Sequence, residues 1–450
     1  MNKTPFHKKL TTGIFYFSIL LFIIAFNFSD NGGGGWTQQF MPFLNNKPIA
    51  DITFLDSLTG YAVTGENTGA PDTNYVLKTT DAGNNWNVIL SKVYSFRRII
   101  FLNHDTGYAS NIESISRTTN AGLSWENIPL PPDYFGIFDM FPLSYDTMWI
   151  TLENFGLDYI YRTTNAGLNW TNQFQGNSFD NLYFFNNRIG FVGSDITSVF
   201  LKTTNSGINW LPTSGNGFYE MFFIDSLVGW KAKGYMNKTT DGGETWINQS
   251  LPSGGNIFVT NMLSFSNINK DTIWGTGGVM RYGNSYRGML YRTTNGGANW
   301  AYQIPDTSIH LSQYWFCRFI NKSNGWMYVP EESGVHTTIG GDTTFYTGII
   351  QTNTNIPKDF ALKQNYPNPF NPRTVIPFSL KKSAYVKLTA YDIRGVEIQK
   401  LAEGKYSAGE YEVDYMGKFT SSGVYFYKIE VTPDNSGEKF IDTKRMMLLK

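Results

Sequence analysis

Residues 163–170 read TTNAGLNW, and close variants of this octapeptide, here called the box, recur along the chain. The other copies are TTDAGNNW (79–86), TTNAGLSW (118–125), TTNSGINW (203–210), TTDGGETW (239–246) and TTNGGANW (293–300). Successive boxes start about 40 residues apart, in a sequence rich in aromatic residues and glycine. That period and composition are typical of repeated units of four short antiparallel strands.

A second motif precedes each box and occurs once more than the box does. An apolar strand meets a polar turn that usually ends in glycine, and an aromatic-led strand follows, which is a hairpin signature. Clear copies are ITFLDSLTGYAV (52–63), IIFLNHDTGYAS (99–110), LYFFNNRIGFVG (182–193), MFFIDSLVGWKA (221–232) and FCRFINKSNGWMYV (316–329); looser copies are MFPLSYDTMWIT (140–151) and LSFSNINKDTIWGT (263–276). After the last hairpin, HTTIGGDTTF (336–345) resembles a box without its tryptophan, whereas GGWTQQF (34–40) resembles the segment after a box. The fold predicted is an all-β, seven-bladed β-propeller whose last blade is closed by the N-terminal strand, with six or eight blades as alternatives.

The box itself is predicted to be a structural turn between the third and fourth strands of each blade. Asn and Asp at its third position bond their own backbone and tolerate left-handed conformations, glycine at the fifth supplies a positive φ, and tryptophan buries apolar surface. Neutral Asn in four copies argues against a catalytic or metal-binding role. The predicted structural residues are Asp81, Gly83, Trp86, Asn120, Gly122, Trp125, Asn165, Gly167, Trp170, Asn205, Gly207, Trp210, Asp241, Gly243, Trp246, Asn295, Gly297 and Trp300.

These residues match the Asp-box pattern S/T-x-D/N-x-G-x-x-W, so the chain resembles the Asp-box (BNR-like) propellers. That group includes sialidases, sortilin-type receptors, oligoxyloglucan-processing glycosidases and photosystem II assembly-factor-like propellers. The resemblance implies that the box is a fold element away from any active site.

Charge and composition restrict the partners that we expect. The 36 basic and 36 acidic residues balance, so the sequence does not favour a nucleic-acid partner. The single cysteine, Cys317, lies in an apolar stretch and is expected to be buried, and His104, His310 and His336 are scattered. We therefore predict no metal site and no cofactor.

Enzyme activity is left open by the sequence, and the interpretation favoured is that catalytic residues are absent. Arg117, Arg162 and Arg292 occupy one repeated strand position and are not expected to converge as a sialidase triad would. Four acidic residues fall outside the repeated positions, but no spacing singles out a glycosidase pair; they are Glu153, Asp158, Asp195 and Glu220. The alternative to a binding scaffold is a secreted glycoside hydrolase of the Asp-box type.

A ligand is expected on the face opposite the boxes, where the connections do not repeat. Irregular stretches there include 64–75, 129–136, 152–159, 277–288 and 304–313, and variable loops on a rigid frame commonly bind ligands. The predicted glycan- or protein-binding residues are Tyr134, Phe135, Glu153, Phe155, Asp158, Arg281, Tyr282 and Tyr286. The alternative is that their aromatic rings only pack the loops that carry them.

The two ends of the chain predict export. Residues 1–30 combine a basic start with an apolar run and are predicted to be a signal peptide, with a retained anchor as the alternative. Residues 31–345 are the predicted propeller, 346–365 a linker and 366–450 a small Ig-like β-sandwich. QNYPNPFNP, YDIRGVEI, SAGEYEV, SSGVYFYKI and the terminal KRMMLLK closely resemble the type A C-terminal sorting domain of the type IX secretion system. That resemblance implies passage through the periplasm, the type IX machinery as a partner, and a secreted or cell-surface product.

Overall fold

The computed structural model describes residues 35–450, except 43, 45–46, 66–71, 133, 155, 254–256, 283–284, 306–307, 331–332, 343–348, 354–355, 372, 407, 418–420, 434–438 and 450. The predicted signal peptide and Phe155 therefore lie outside the described residues. The described part consists of strands and turns, and we find in it no helix with the length and apolar character needed to cross a membrane.

The strands before residue 340 form antiparallel sheets, numbered here along the chain. The first strand, β1 (Thr37–Phe40), belongs to the last of these sheets. Sheet 1 contains β2 (Ile49–Phe54), β3 (Gly60–Thr64), β4 (Thr73–Thr79) and β5 (Asn87–Val93); sheet 2 contains β6 (Phe96–Phe101), β7 (Gly107–Asn111), β8 (Ile115–Thr118) and β9 (Glu126–Asn127). Sheet 3 contains β10 (Gly136–Pro142), β11 (Met148–Asn154), β12 (Leu157–Thr163) and β13 (Thr171–Gly176); sheet 4 contains β14 (Asn181–Phe184), β15 (Gly190–Gly193), β16 (Phe200–Thr203) and β17 (Leu211–Pro212). Sheet 5 contains β18 (Glu220–Phe223), β19 (Gly229–Lys233), β20 (Tyr235–Thr239) and β21 (Ile247–Gln249); sheet 6 contains β22 (Ile257–Val259), β23 (Ser264–Asn267), β24 (Ile273–Tyr282), β25 (Ser285–Thr293) and β26 (Ala301–Gln303). Sheet 7 contains β27 (Phe316–Phe319), β28 (Gly325–Val329), β29 (Ser333–Thr337) and β1.

The sheets follow one another around a closed ring. The inner strands pack in the order β2, β6, β10, β14, β18, β23 and β27, and β27 packs in turn against β2. Aromatic rings join neighbouring sheets face to face. Trp326 of sheet 7 lies flat on Phe54 of sheet 1 with centroids 3.8 Å apart, and Trp149 stacks on Phe184 at the same distance. The same kind of contact therefore closes the ring and joins neighbouring sheets within it.

The box has one geometry in all six copies. The hydroxyl of its first threonine accepts a hydrogen bond from the glycine N–H, at 3.0 Å for Thr163 and Gly167. Asn165 Oδ1 accepts the N–H of Asn169 at 2.9 Å, and Asp81 Oδ1 accepts the N–H of Asn85 at 2.8 Å. An amide oxygen thus performs the same task as a carboxylate oxygen. Contrary to expectation, the left-handed residues are the fourth and fifth of the box, and the Asn or Asp is not among them.

Each box also receives a side chain from the preceding sheet. The residue three positions after a tryptophan contacts the box glycine of the next sheet; Ile128 does so at Gly167 and Gln39 at Gly83, and the Thr213 hydroxyl donates to the Gly243 carbonyl. A Cβ on Gly167 would lie 2.0 Å from Ile128 Cγ2, so glycine is required for this approach as well as for its φ of 86°. The box is therefore a joint between sheets and not only a turn within one.

The last joint is assembled from two distant parts of the chain. Strand β1 pairs with β29, and the Thr337 hydroxyl accepts the N–H of Gly341 at 2.7 Å, as in a complete box. Ile339 stands where the other copies have Asn or Asp, and the Asp342 carboxylate accepts the N–H of Gly35 instead. Trp36 follows and donates its indole N–H to Gln303 Oε1 at 2.8 Å. The N-terminal strand thus supplies the missing half of the box, as the sequence predicts.

The C-terminal strands form two four-stranded sheets around their own core. One contains β30 (Ile349–Asn353), β31 (Ala361–Leu362), β32 (Arg373–Leu380) and β35 (Gly409–Met416); the other contains β33 (Ala384–Tyr391), β34 (Glu397–Tyr406), β36 (Gly423–Pro433) and β37 (Phe440–Leu448). Ile376, Leu388 and Ile429 are fully buried in this core. The predicted linker over 346–365 is wrong in part, because β30 and β31 pair with β35 and β32 of the sandwich.

Candidate functional site at the centre of the ring

A cavity of about 1130 Å³ opens where the inner strands begin. It is bordered by the loops that follow the second strands of sheets 1, 4 and 7, at Gly65, Asp195 and Pro330. The cavity therefore lies on the face opposite the boxes, which is the face that the sequence favours for a ligand.

Two consecutive residues from each inner strand or its approach line this cavity. The outer ring consists of Ala50, Arg97, Phe138, Asp180, Tyr219, Leu263 and Trp315. The inner ring consists of Asp51, Arg98, Asp139, Asn181, Glu220, Ser264 and Phe316. In sheets 1 to 3 the outer-ring residue is the extra residue of a β-bulge, where the register with the second strand shifts. Bulges re-aim side chains and are frequent beside functional sites.

The inner ring is held by ion pairs. Arg98 forms a bidentate pair with Asp139, at 2.7 Å from Nε to Oδ1 and 3.2 Å from Nη2 to Oδ2. Arg318, which also lines the cavity, contacts Glu220 Oε1 at 2.9 Å and Asp51 Oδ1 at 3.3 Å. The neighbouring Asp139 holds the pKa of Arg98 above its usual value. These charges are paired and are not available to a ligand.

The same carboxylates also join the sheets. Asp51 Oδ2 accepts the N–H of Ile99 at 3.1 Å, Asp139 Oδ2 accepts that of Leu182 at 2.8 Å, and Glu220 Oε2 accepts that of Phe265 at 3.0 Å. Each acceptor reaches a backbone N–H of the inner strand of the next sheet. The inner ring is therefore part of the framework that holds the cavity open.

The outer ring is divided into two halves. Sheets 5, 6, 7 and 1 contribute Tyr219, Leu263, Trp315 and Ala50, and half of the Trp315 surface is exposed. Sheets 2, 3 and 4 contribute Arg97, Phe138 and Asp180. One side of the opening is thus apolar and the other side is charged.

The charged half has unused hydrogen-bonding capacity. The Arg97 guanidinium lies 5.4 Å from the centre of the Phe138 ring and forms no hydrogen bond or ion pair with another described residue. Among the described residues, Asp180 accepts hydrogen bonds through Oδ2 and not through Oδ1, from the Ser194 hydroxyl at 2.9 Å and the Asp195 N–H at 2.7 Å. Burial by the surrounding walls, followed in importance by the Asp180 charge, raises the pKa of Asp195 to about 6.

The binding residues predicted from sequence lie elsewhere, and the structure does not bring them together. The Tyr134 hydroxyl donates a hydrogen bond to the Glu113 carbonyl, and the Asp158 carboxylate accepts one from the Phe179 N–H at 2.8 Å. Phe135 donates its N–H to the Glu153 carbonyl. This group belongs to sheet 3, and none of its members lines the central cavity.

The second predicted group belongs to sheet 6. Arg281 is paired with Tyr286 across β24 and β25, and the Tyr286 ring packs 4.9 Å from that of Phe258. Tyr282 is the last residue of β24. The stretches 152–159 and 277–288 were expected to be irregular loops, but both form paired hairpin strands, the second through a bulge between Thr276 and Val279.

Arg117, Arg162 and Arg292 do not converge. Arg162 and Arg292 lie over the tryptophans Trp149 and Trp274 of their own sheets, at 4.9 and 5.1 Å from the ring centres. Arg117 donates to the Ala166 carbonyl in the next box at 3.3 Å. Within the described residues, no group of His, Cys, Asp and Glu has an arrangement that would hold a metal ion.

Of the four irregular acidic residues, Asp195 and Glu220 line the cavity and Glu153 and Asp158 do not. The remaining cavity residues were missed. The sequence does contain a pattern that includes several of them. In the innermost strand of most sheets, a polar residue immediately precedes the apolar stretch, as Asp51, Arg98 and Asp139 do. Nothing in the sequence marks that position as central.

Comparison with known proteins bears on the fold. No family model matches the chain, and no curated relative was found. Among solved structures, YCF48 bound to D1 peptide is similar with a TM-score of 0.51 and 20% identity, covering 68% of this chain and 95% of that one. The GH74 xyloglucanase from Xanthomonas campestris is similar with a TM-score of 0.52 and 8% identity, covering 90% and 81%.

The fold is a β-propeller. Similarity at these low sequence identities shows the fold alone. The activity and the ligand have to be inferred from the residues of the site.

Proposed function

We propose that this propeller is an exported, non-catalytic binding scaffold whose ligand, a segment of another protein, occupies the central cavity. The observation that supports the proposal most directly is the outer ring, where exposed apolar side chains such as Trp315 face the free polar groups of Arg97 and Asp180. A concave, largely apolar surface with a few polar groups is the usual form of a ligand site. The YCF48 propeller in complex with a D1 peptide is consistent with a peptide ligand in this fold.

A direct test uses the chain from residue 31 onward, labelled and applied to an array of random dodecapeptides and to a glycan array. Trp315→Ala removes the exposed ring from the cavity. Leu168→Ala is the matched control, because Leu168 is 72% exposed in a box, away from the cavity. The proposal requires peptide binding that Trp315→Ala abolishes and Leu168→Ala leaves intact. Peptide binding that both variants retain would place the ligand elsewhere, and cavity-dependent binding of glycans alone would make the ligand class wrong.

For export, we propose that residues 366–450 direct the protein across the outer membrane through type IX secretion. The motifs QNYPNPFNP and KRMMLLK support this assignment. A chain that lacks residues 366–450 should accumulate in the periplasm, and a reporter fused to residues 346–450 should reach the surface. Surface display of the truncated chain would contradict the assignment.

A glycoside hydrolase is the second candidate, and one observation favours it. Asp195, whose pKa is raised to about 6, lies beside Asp180 in a cavity with exposed aromatic rings. A carboxyl group with a raised pKa close to a second carboxyl group is the pairing that glycosidases use. Release of reducing sugar from β-glucans, abolished by Asp195→Asn, would support this candidate. Glycan binding without any hydrolysis would exclude it.

A further inference from the structure

The chemistry of the cavity also bears on what kind of peptide segment it would take. The charged groups of the inner ring are already used, since Arg98, Arg318 and their carboxylate partners bond to one another and to backbone N–H groups. A hydroxyl-rich ligand would find few free partners there. What stays accessible is the apolar half of the outer ring, together with the free oxygens of its charged half.

The free groups are acidic on balance. Five carboxylates line the cavity against three guanidinium groups, so its net charge at neutral pH is negative. The inner ring holds three carboxylates against Arg98 and Arg318, so one surplus negative charge lies there. The other lies at Asp180 and Asp195, whose two carboxylates exceed the single positive charge of Arg97. In the described part, Asp180 Oδ1 and Asp195 Oδ2 accept no hydrogen bond, and the Asp195 side chain is exposed to the cavity.

We propose that the occupant is a peptide segment in which a large apolar side chain adjoins a lysine or arginine. The apolar side chain packs against Tyr219, Leu263 and Trp315, and the cationic group pairs with Asp180 and Asp195. The N–H donors of Arg97, held over Phe138, suit the carbonyl oxygens of the segment. This inference rests on the proposed function and adds the charge and shape of the ligand to it.

The other charged groups around Asp195 are few. Lys233, on β19, donates its ammonium to the Ser194 carbonyl at 2.6 Å. Asn181 donates its side-chain N–H to Asp195, and Arg98 contributes a weaker favourable charge. The negative charge of Asp180 disfavours ionisation of the Asp195 carboxyl group, whereas Lys233, Asn181 and Arg98 favour it. Asp195 is therefore largely ionised above about pH 6 and protonated below it.

The experiment measures fluorescence anisotropy of four labelled, end-blocked hexapeptides with the chain from residue 31 onward. Their central pairs are Phe-Lys, Phe-Gln, Phe-Glu and Ala-Lys, and each pair has two glycines on either side. At pH 7.5 we expect the Phe-Lys peptide to bind at least fivefold more tightly than the Phe-Glu peptide, and the Ala-Lys peptide to bind more weakly than the Phe-Lys peptide. Lowering the pH to 5 should weaken Phe-Lys binding about threefold and leave Phe-Gln binding unchanged.

Two variants make the assignment specific. Asp195→Asn should remove the preference for Phe-Lys over Phe-Gln and its pH dependence, whereas the control Asp105→Asn, at an exposed turn on the box face, should change neither. Equal affinity for Phe-Lys and Phe-Glu, with both lost in Trp315→Ala, would overturn the cation preference and leave the proposed function standing. Binding of all four peptides that is insensitive to Trp315→Ala would overturn the proposed function itself.

Discussion

Replacing Gly167 with alanine tests whether the box is a joint between sheets. Gly167 has a φ of 86°, and its new Cβ would lie 2.0 Å from Cγ2 of Ile128, which is 95% buried. A left-handed alanine costs roughly 1–2 kcal/mol, and forcing a methyl group into a filled space adds about 1–3 kcal/mol. The free energy of unfolding should therefore fall by about 2–5 kcal/mol.

Gly156 provides the matched control. Its φ is 77°, but a Cβ there would meet no atom of the described residues within 4 Å. Gly156→Ala should therefore lower the free energy of unfolding only by the backbone cost of roughly 1–2 kcal/mol. The measurement is urea unfolding followed by tryptophan fluorescence, with the change in stability taken from the midpoint and slope.

A double-mutant cycle isolates the contact itself. Ile128→Ala removes the Cγ2 that Gly167→Ala would strike, at its own cost of about 2–4 kcal/mol. In that background Gly167→Ala should cost no more than Gly156→Ala, giving a coupling of about 1–3 kcal/mol. If Gly167→Ala and Gly156→Ala cost the same in the wild-type background, the contact with Ile128 does not constrain the box.

Three further predictions concern the ring. Asp342→Ala should speed hydrogen exchange about tenfold in residues 35–40, because the Gly35 N–H loses its acceptor, and should leave the other boxes protected; unchanged exchange there would contradict the split-box interpretation. Arg318→Met should lower the free energy of unfolding by about 3–5 kcal/mol in urea, because Glu220 is left as an unpaired charge, and a loss below 1 kcal/mol would argue against the ion pair. Lys231, 97% buried, has its pKa lowered by burial from 10.5 to about 7, so the folded state is penalised increasingly as the pH falls from 10.5 towards 7. Lys231→Met should therefore stabilise the protein more at pH 7 than at pH 9.5, by about 3 kcal/mol in urea titrations, and a pH-independent difference would refute the lowered pKa.

Much of the local structure could be read from the sequence, because it depends on neighbouring residues. The hairpins, the box turn and the pairing of the N-terminal strand all follow from patterns within a few residues of one another or from their repetition. Cys317 is buried in β27, as its apolar surroundings indicate. The error in the box was local too, since the left-handed conformation falls on Ala166 and Gly167 and not on Asn165.

The hairpins at 152–159 and 277–288 show where composition misleads. Both stretches look irregular because they contain glycine and unpatterned polar residues. In sheet 6, Gly277 has a φ of 123° and lies within a bulge between Thr276 and Val279. The bulge accommodates the two glycines, and β24 continues to pair with β25 beyond it. The partner strand supplies the hydrogen bonds that make this segment a strand, and that partner is not visible in the local pattern.

The sequence by itself determined the repeating four-stranded unit, because period, turn chemistry and alternation are local properties. Only the tertiary structure decided which polar residues form the site. Arg97 and Arg98 are neighbours in the chain, yet Arg98 is held by Asp139 of the next sheet and Arg97 is left over Phe138, facing the cavity. Each sheet contributes at least two residues to the cavity, so its charge and shape arise from side chains some 40 residues apart. Their distances are fixed when the ring closes, and no single repeat contains that information.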